Sequence, residues 1–220
     1  MERPAFSKYH RLLGMSASWI ASFLLILYLV TLILGLISLR SPNDPIGDPY
    51  FSILEILIVL VMPFIVLVFI CLPAYAPLEK KIFAQTALVM MILATAITSA
   101  VHFTILTVSR EAELANLPWI DSFLSFKWPS VVYALDILAW DWFFALSLLL
   151  AAPVFSGGVL EKWVRRLLIL AGVLSLAGLI GIPLADMQVR MIGVVGYAGI
   201  TPFIFFLLGI LFRNRSQINA

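Results

Sequence analysis

Apolar residues run along the chain in six long blocks, each closed by a short cluster of turn-forming or charged residues. A helix needs about 20 mostly apolar residues to cross a bilayer. Blocks of that length fall at about 15–39, 51–76, 82–108, 131–155, 165–185 and 190–212. The interruptions fit this division. SPNDPIGDP follows the first block, Pro73 and Pro77 close the second, and Gly157 and Gly158 follow the fourth. The pattern predicts an all-α integral membrane bundle of six transmembrane helices, forming one domain over residues 1–220.

Small residues mark the faces on which these helices pack. Gly14, Ser18 and Ser22 recur every four residues in the first span. Gly172, Ser175, Gly178 and Gly181 line the fifth, and Gly193, Gly196 and Gly199 the sixth. Such stripes let helix backbones approach closely. Pro63 and Pro202 lie near mid-span, where each removes a backbone hydrogen bond and frees the carbonyl four residues back, on Val59 and Ala198. The longest loop, Ser109 to Pro129, contains a segment over about 118–128. There Trp119, Ile120, Phe123 and Leu124 share one face of a short helix, opposite Asp121, Ser122 and Ser125. That segment is predicted to lie at the membrane surface, as an aromatic anchor or as a lid.

Composition narrows the class. With 63% hydrophobic and 12% charged residues and a mean hydropathy of +1.09, the chain is unlike a soluble domain, which carries about 25% charged residues. Ten of the fourteen basic residues fall in the N-terminal segment (Arg3, Lys8, Arg11), the loops after the second and fourth spans, and the tail. Arg40, Arg110, Lys127 and Arg190 fall on the other side. The positive-inside rule then places both termini in the cytoplasm and the protein in the cytoplasmic membrane. The basic N-terminus is read as an uncleaved anchor, because the apolar run behind it exceeds the 7–15 residues of a signal peptide. Cys71 is the single cysteine, which excludes an intrachain disulfide and any multi-cysteine metal site. Basic residues scattered over short loops offer nucleic acid nothing to bind. The partners indicated are the lipid bilayer and a small molecule or cation, and no particular cofactor or oligomeric state is implied.

The fourth span carries the candidate chemistry. It holds Asp136 and Asp141 beside Tyr133, Trp140 and Trp142. Each aspartate near the centre of a span costs roughly 3 kcal/mol on insertion, while Leu, Ile, Phe and Val each contribute about 0.3–0.6. The thirteen such residues in Val131–Phe155 therefore about cancel the two acids. Acids of this kind face a bundle interior or a cavity. At 1.5 Å per residue, His102 and Asp136 both lie about 10 Å from mid-span and Glu55 about 12 Å, on the same side, with Asp141 near the centre. Thr95, Thr98 or Ser99, and His102 form a polar stripe on the third span, predicted to line the same pocket. At 100° per residue Asp136 and Asp141 stand about 140° apart, which argues against a tight carboxylate pair. Asp186 and Arg190 bracket the turn before the sixth span and are expected to pair there.

Three functions fit this constellation. The leading one is a small transporter, or a ligand-binding or sensing protein, whose polar pocket opens outward. Glu55, His102, Asp136 and Asp141 would then carry a ligand or a proton. A metal-dependent membrane enzyme using the same groups is the second, since imidazole and carboxylate bind zinc or iron. A structural protein whose acids only hold helices together is the third. The run LSLLLAAPVFSGGVLEKWVRRLLILAGVLSLAGLIG, Leu146 to Gly181, resembles a stretch of uncharacterised small polytopic membrane proteins of bacteria and archaea. In these an apolar helix ends in AAPVF, and a GG-x-LE-x-W-x-R connection leads to the next helix. The resemblance implies a prokaryotic membrane protein and transfers no activity.

Overall fold

Hydrophobic length and local capping together set the helix ends. The computed structural model describes residues 6–41, 44–111, 113 and 117–215. Arg3 of the basic segment and residues 42–43, 112 and 114–116 of the loops lie outside them. Six helices are long and apolar enough to cross a membrane: Lys8–Ile37, Tyr50–Tyr75, Leu78–Arg110, Val131–Val154, Val159–Gly181 and Met187–Asn214. No strand occurs among the described residues. This is a multi-pass, all-helical bundle. The first span begins earlier than hydropathy implied because Ser7 caps it. The Ser7 hydroxyl accepts from the His10 amide, and His10 Nδ1 accepts from the Ser7 amide, both at 3.3 Å. The fifth also starts early, at Val159, so Lys162, Arg165 and Arg166 project from its first turns.

Each span packs against its sequence neighbours, and the first closes the ring against the sixth. The fourth is the most enclosed, with 61% of its apolar window buried against 22% in the first. The acid-bearing helix is therefore surrounded by protein, as its composition requires. Gly14, Ser18 and Ser22 are all buried on the face toward the second and sixth spans. The Ser22 hydroxyl donates to the carbonyl of Pro202 at 2.8 Å. Gly199 does not belong to the close-packed stripe, since a Cβ there would meet only Val195 Cγ1 at 3.8 Å.

Both ends of the bundle are tied. At the face bearing the termini, Phe6, Tyr75 and Phe212 cluster with ring centroids 5.7 Å apart. Tyr75 donates to Glu161 Oε1 at 2.5 Å, and the other oxygen of Glu161 accepts from the amides of Ser156 and Gly157. The GG-x-LE connection is thus a loop folded onto its own glutamate. At the opposite, loop-bearing face, Arg110 reaches Asp48 at 3.4 Å and Ser52 at 2.9 Å. The hydroxyl and amide of Ser52, with Arg110 beside them, hold the Asp48 carboxyl below its ordinary range.

Candidate intramembrane site

Four spans deliver the ionisable side chains to one buried chain of contacts in the half of the bundle nearer the loops. Glu55 comes from the second span, His102 from the third, Asp136 and Asp141 from the fourth, and Arg190 from the sixth. Glu55 Oε2 lies 2.7 Å from His102 Nδ1. On the far side of the ring, Nε2 stands 3.3 Å from Asp136 Oδ1, in ion contact but not aligned as a hydrogen bond. Asp136 Oδ2 accepts from Arg190 NH2 at 3.0 Å. Arg190 Nε donates to Asp141 Oδ2 at 3.3 Å, and its NH1 donates to the Tyr133 hydroxyl at 2.9 Å. The guanidinium also lies over the Tyr133 ring, 4.8 Å from its centroid. All five ionisable residues are at most 5% exposed.

Arg190 is the residue that sequence reasoning misplaced. It does not pair with Asp186 in the turn. Asp186 instead caps the sixth helix, accepting from the Gln188 amide at 2.8 Å. Capping at Asp186 starts the helix at Met187 and carries Arg190 inward, where it closes on the two aspartates. The cap was visible in the sequence as an aspartate ahead of an apolar run. Read that way, Arg190 stands about a turn inside the sixth helix rather than at its first residue.

The relation between Asp136 and Asp141 also changes. The turn Leu138–Phe144 is π-helical rather than α-helical. Its i→i+5 pairing brings residues five apart toward one face, so the 140° separation expected of an α-helix does not apply. One guanidinium therefore reaches both carboxylates, NH2 lying 3.3 Å from Asp141 Oδ2. Asp141 is fully buried, and its Oδ1 has no hydrogen-bond partner. That oxygen sits where the fifth and sixth spans cross. A Cβ built on Gly178 would come within 2.5 Å of it, and one on Gly193 would overlap it. Only glycine at both positions leaves room for the carboxylate.

A cavity of about 480 Å³ lies against this chain of charges. Glu55, His102, Asp136, Tyr133 and Arg190 form its polar wall. Tyr28, Leu32 and Leu36 of the first span and Met191 and Val194 of the sixth also line it. Asp141 is behind Arg190 and does not border it. The third-span hydroxyls do not line it either. Thr98 and Thr95 are turned into helix contacts with no hydrogen-bond partner for their Oγ1 atoms, Ser99 is half-buried away from the cavity, and His102 is the single third-span residue on its wall.

The segment after Pro118 forms the roof. Its helix, Ile120–Leu124, leaves Trp119 and Phe123 about half exposed, edge to face at 5.8 Å. Phe126 turns inward, with its ring 5.6 Å from His102 and 5.2 Å from Tyr133. Ser125, Phe126 and Lys127 border the cavity. The aromatics of the short helix thus point outward, while Phe126 packs against His102 and Tyr133.

Among the described residues no three His, Cys, Asp or Glu side chains converge as a metal site would require. Each nitrogen of His102 already faces a carboxylate. What the arrangement can do is share protons between adjacent carboxylates and imidazole, and present charge to a molecule in the cavity. No family model, curated protein or solved structure matches the chain.

Proposed function

We propose that the protein is a small transporter or ligand-binding protein of the cytoplasmic membrane, with both termini cytoplasmic and its ligand held in the cavity under Phe126. The observation that carries this reading is the joining of the two features. A bundle that used buried acids only for packing would have no need of a 480 Å³ space beside them. Cavities of roughly 300–1,000 Å³ accept small organic ligands, and a few convergent polar groups on an apolar wall set their orientation. The basic bias of the loops supports the assignment of the cavity mouth to the outer side. In this reading Glu55 and His102 contact the ligand, Asp136 takes up the change in charge, and Arg190 and Asp141 hold Asp136 in place.

The test is what the purified protein carries. Native mass spectrometry of wild type and of Ala198→Phe, which puts a ring into the cavity, should show an adduct in the first that is missing from the second. A stoichiometric metal would replace this reading with an enzyme, and a protein with neither adduct nor metal would leave only a packing role.

A further inference from the structure

We propose that the ligand is a lipophilic organic cation that enters from the bilayer between the first and sixth spans and displaces one proton from the buried chain. This rests on the cavity being a ligand site, and three observations carry it further.

The first is charge. Glu55, Asp136 and Asp141 face one permanent cation, Arg190, whose donors are directed to Asp136, Asp141 and Tyr133. Glu55 has only His102, which it shares with Asp136. Buried charge is tolerated only when balanced, so this set reaches neutrality with two protons on its carboxylates and imidazole. A monovalent cation beside Glu55 makes one of these protons redundant and releases it to water. Tyr28 on the first span and Tyr197 on the sixth also face the cavity. Lys127 stands on the rim, exposed. An anion would instead meet Glu55 and Asp136 on the wall.

The second is the ring content. Phe51, Phe126, Tyr133 and Trp140 join the two tyrosines around the space, and aromatic faces attract cations, more strongly when water is excluded. The third is access. The first span packs on the second and on the terminal half of the sixth, but beside Met187–Val194 the cavity itself intervenes. Leu36 and Met191, at the edges of that opening, are both exposed on the outside of the bundle and on the cavity wall. An amphiphile reaches Glu55 through them without crossing the roof.

Tetraphenylphosphonium and tetraphenylborate have the same shape and opposite charge, and binding of each to the purified protein in maltoside micelles decides the matter. The phosphonium should bind at least about tenfold more tightly than the borate, a difference of about 1.4 kcal/mol, and release about one proton per ion into weakly buffered medium. Glu55→Gln should lose that preference and the proton. Leu36→Trp, at an exposed position away from the buried charges, should slow phosphonium binding with the fold retained. Borate binding as tightly as phosphonium would overturn the cation while leaving the cavity as a ligand site. Binding of neither ion would remove both. Phosphonium binding unchanged in Glu55→Gln, or unslowed in Leu36→Trp, would refute the assigned contact or the assigned entrance.

Discussion

Removing Arg190 isolates what the buried chain costs and what holds it. In Arg190→Gln the carboxylates of Asp136 and Asp141 lose the guanidinium that lies 3.0 and 3.3 Å from them. Breaking a buried ion pair by deleting one partner costs about 3–5 kcal/mol. An independent route gives the same scale. An uncompensated carboxylate escapes its charge by taking a proton, which for an ordinary aspartate of pKa about 3.9 costs about 4 kcal/mol at pH 7 and about 1.5 kcal/mol at pH 5. The sign follows directly: the variant should be most impaired at high pH and recover as pH falls. At roughly 2–4 °C per kcal/mol for a chain of this size, the melting temperature should drop by about 10 °C at pH 7. Adding Asp141→Asn removes one stranded acid, so the double variant should regain stability, with a coupling energy of about 1–3 kcal/mol in the cycle. Fluorescence-detected size exclusion after heating, at pH 7 and pH 5, measures all four proteins. A single variant as stable as wild type, a loss independent of pH, or strictly additive effects of the two substitutions would refute the shared guanidinium.

Two further predictions test topology and packing. In a background lacking Cys71, Ser122→Cys should react with an impermeant thiol reagent on intact cells while Lys162→Cys is protected; the reverse pattern would invert the orientation. Gly193→Ala should destabilise the bundle by about 1–3 kcal/mol, since its methyl group overlaps Asp141, whereas Gly199→Ala should be silent in the same melting assay.

The spans were legible because a bilayer demands length and hydrophobicity, and both are written in a single sequence. The shared depth of Glu55, His102 and Asp136 was legible for a related reason: helical rise converts residue counts into distance along a span. Rotation about the helix axis was harder to read. The relation of Asp136 to Asp141 depends on a π turn, and the sequence LAWDWFF has no residue that demands one. Arg190 was hidden by its place near a span end, where a basic residue normally extends to the interface. The hydroxyls of Thr95, Thr98 and Ser99 shared a helical stripe with His102, but the stripe meets different neighbours along its length. Only His102 comes level with the cavity.

The π turn at Leu138–Phe144 gives the fourth span one residue more than an α-helix needs for its reach. Such a surplus acts as a built-in unit of rotation. If the turn relaxed to α geometry, the segment beyond it would rotate by about 100°, the angle of one residue at 3.6 per turn. Asp136, ahead of the turn, would keep its place beside His102, while Asp141, midway along the turn, would take up part of that rotation and shift relative to Arg190. The contact of the guanidinium with one of its two carboxylates would then change, with no change in the other. A twist of one helix about its own axis thus changes how far the Arg190 guanidinium on the cavity wall is compensated, without any span moving sideways in the membrane.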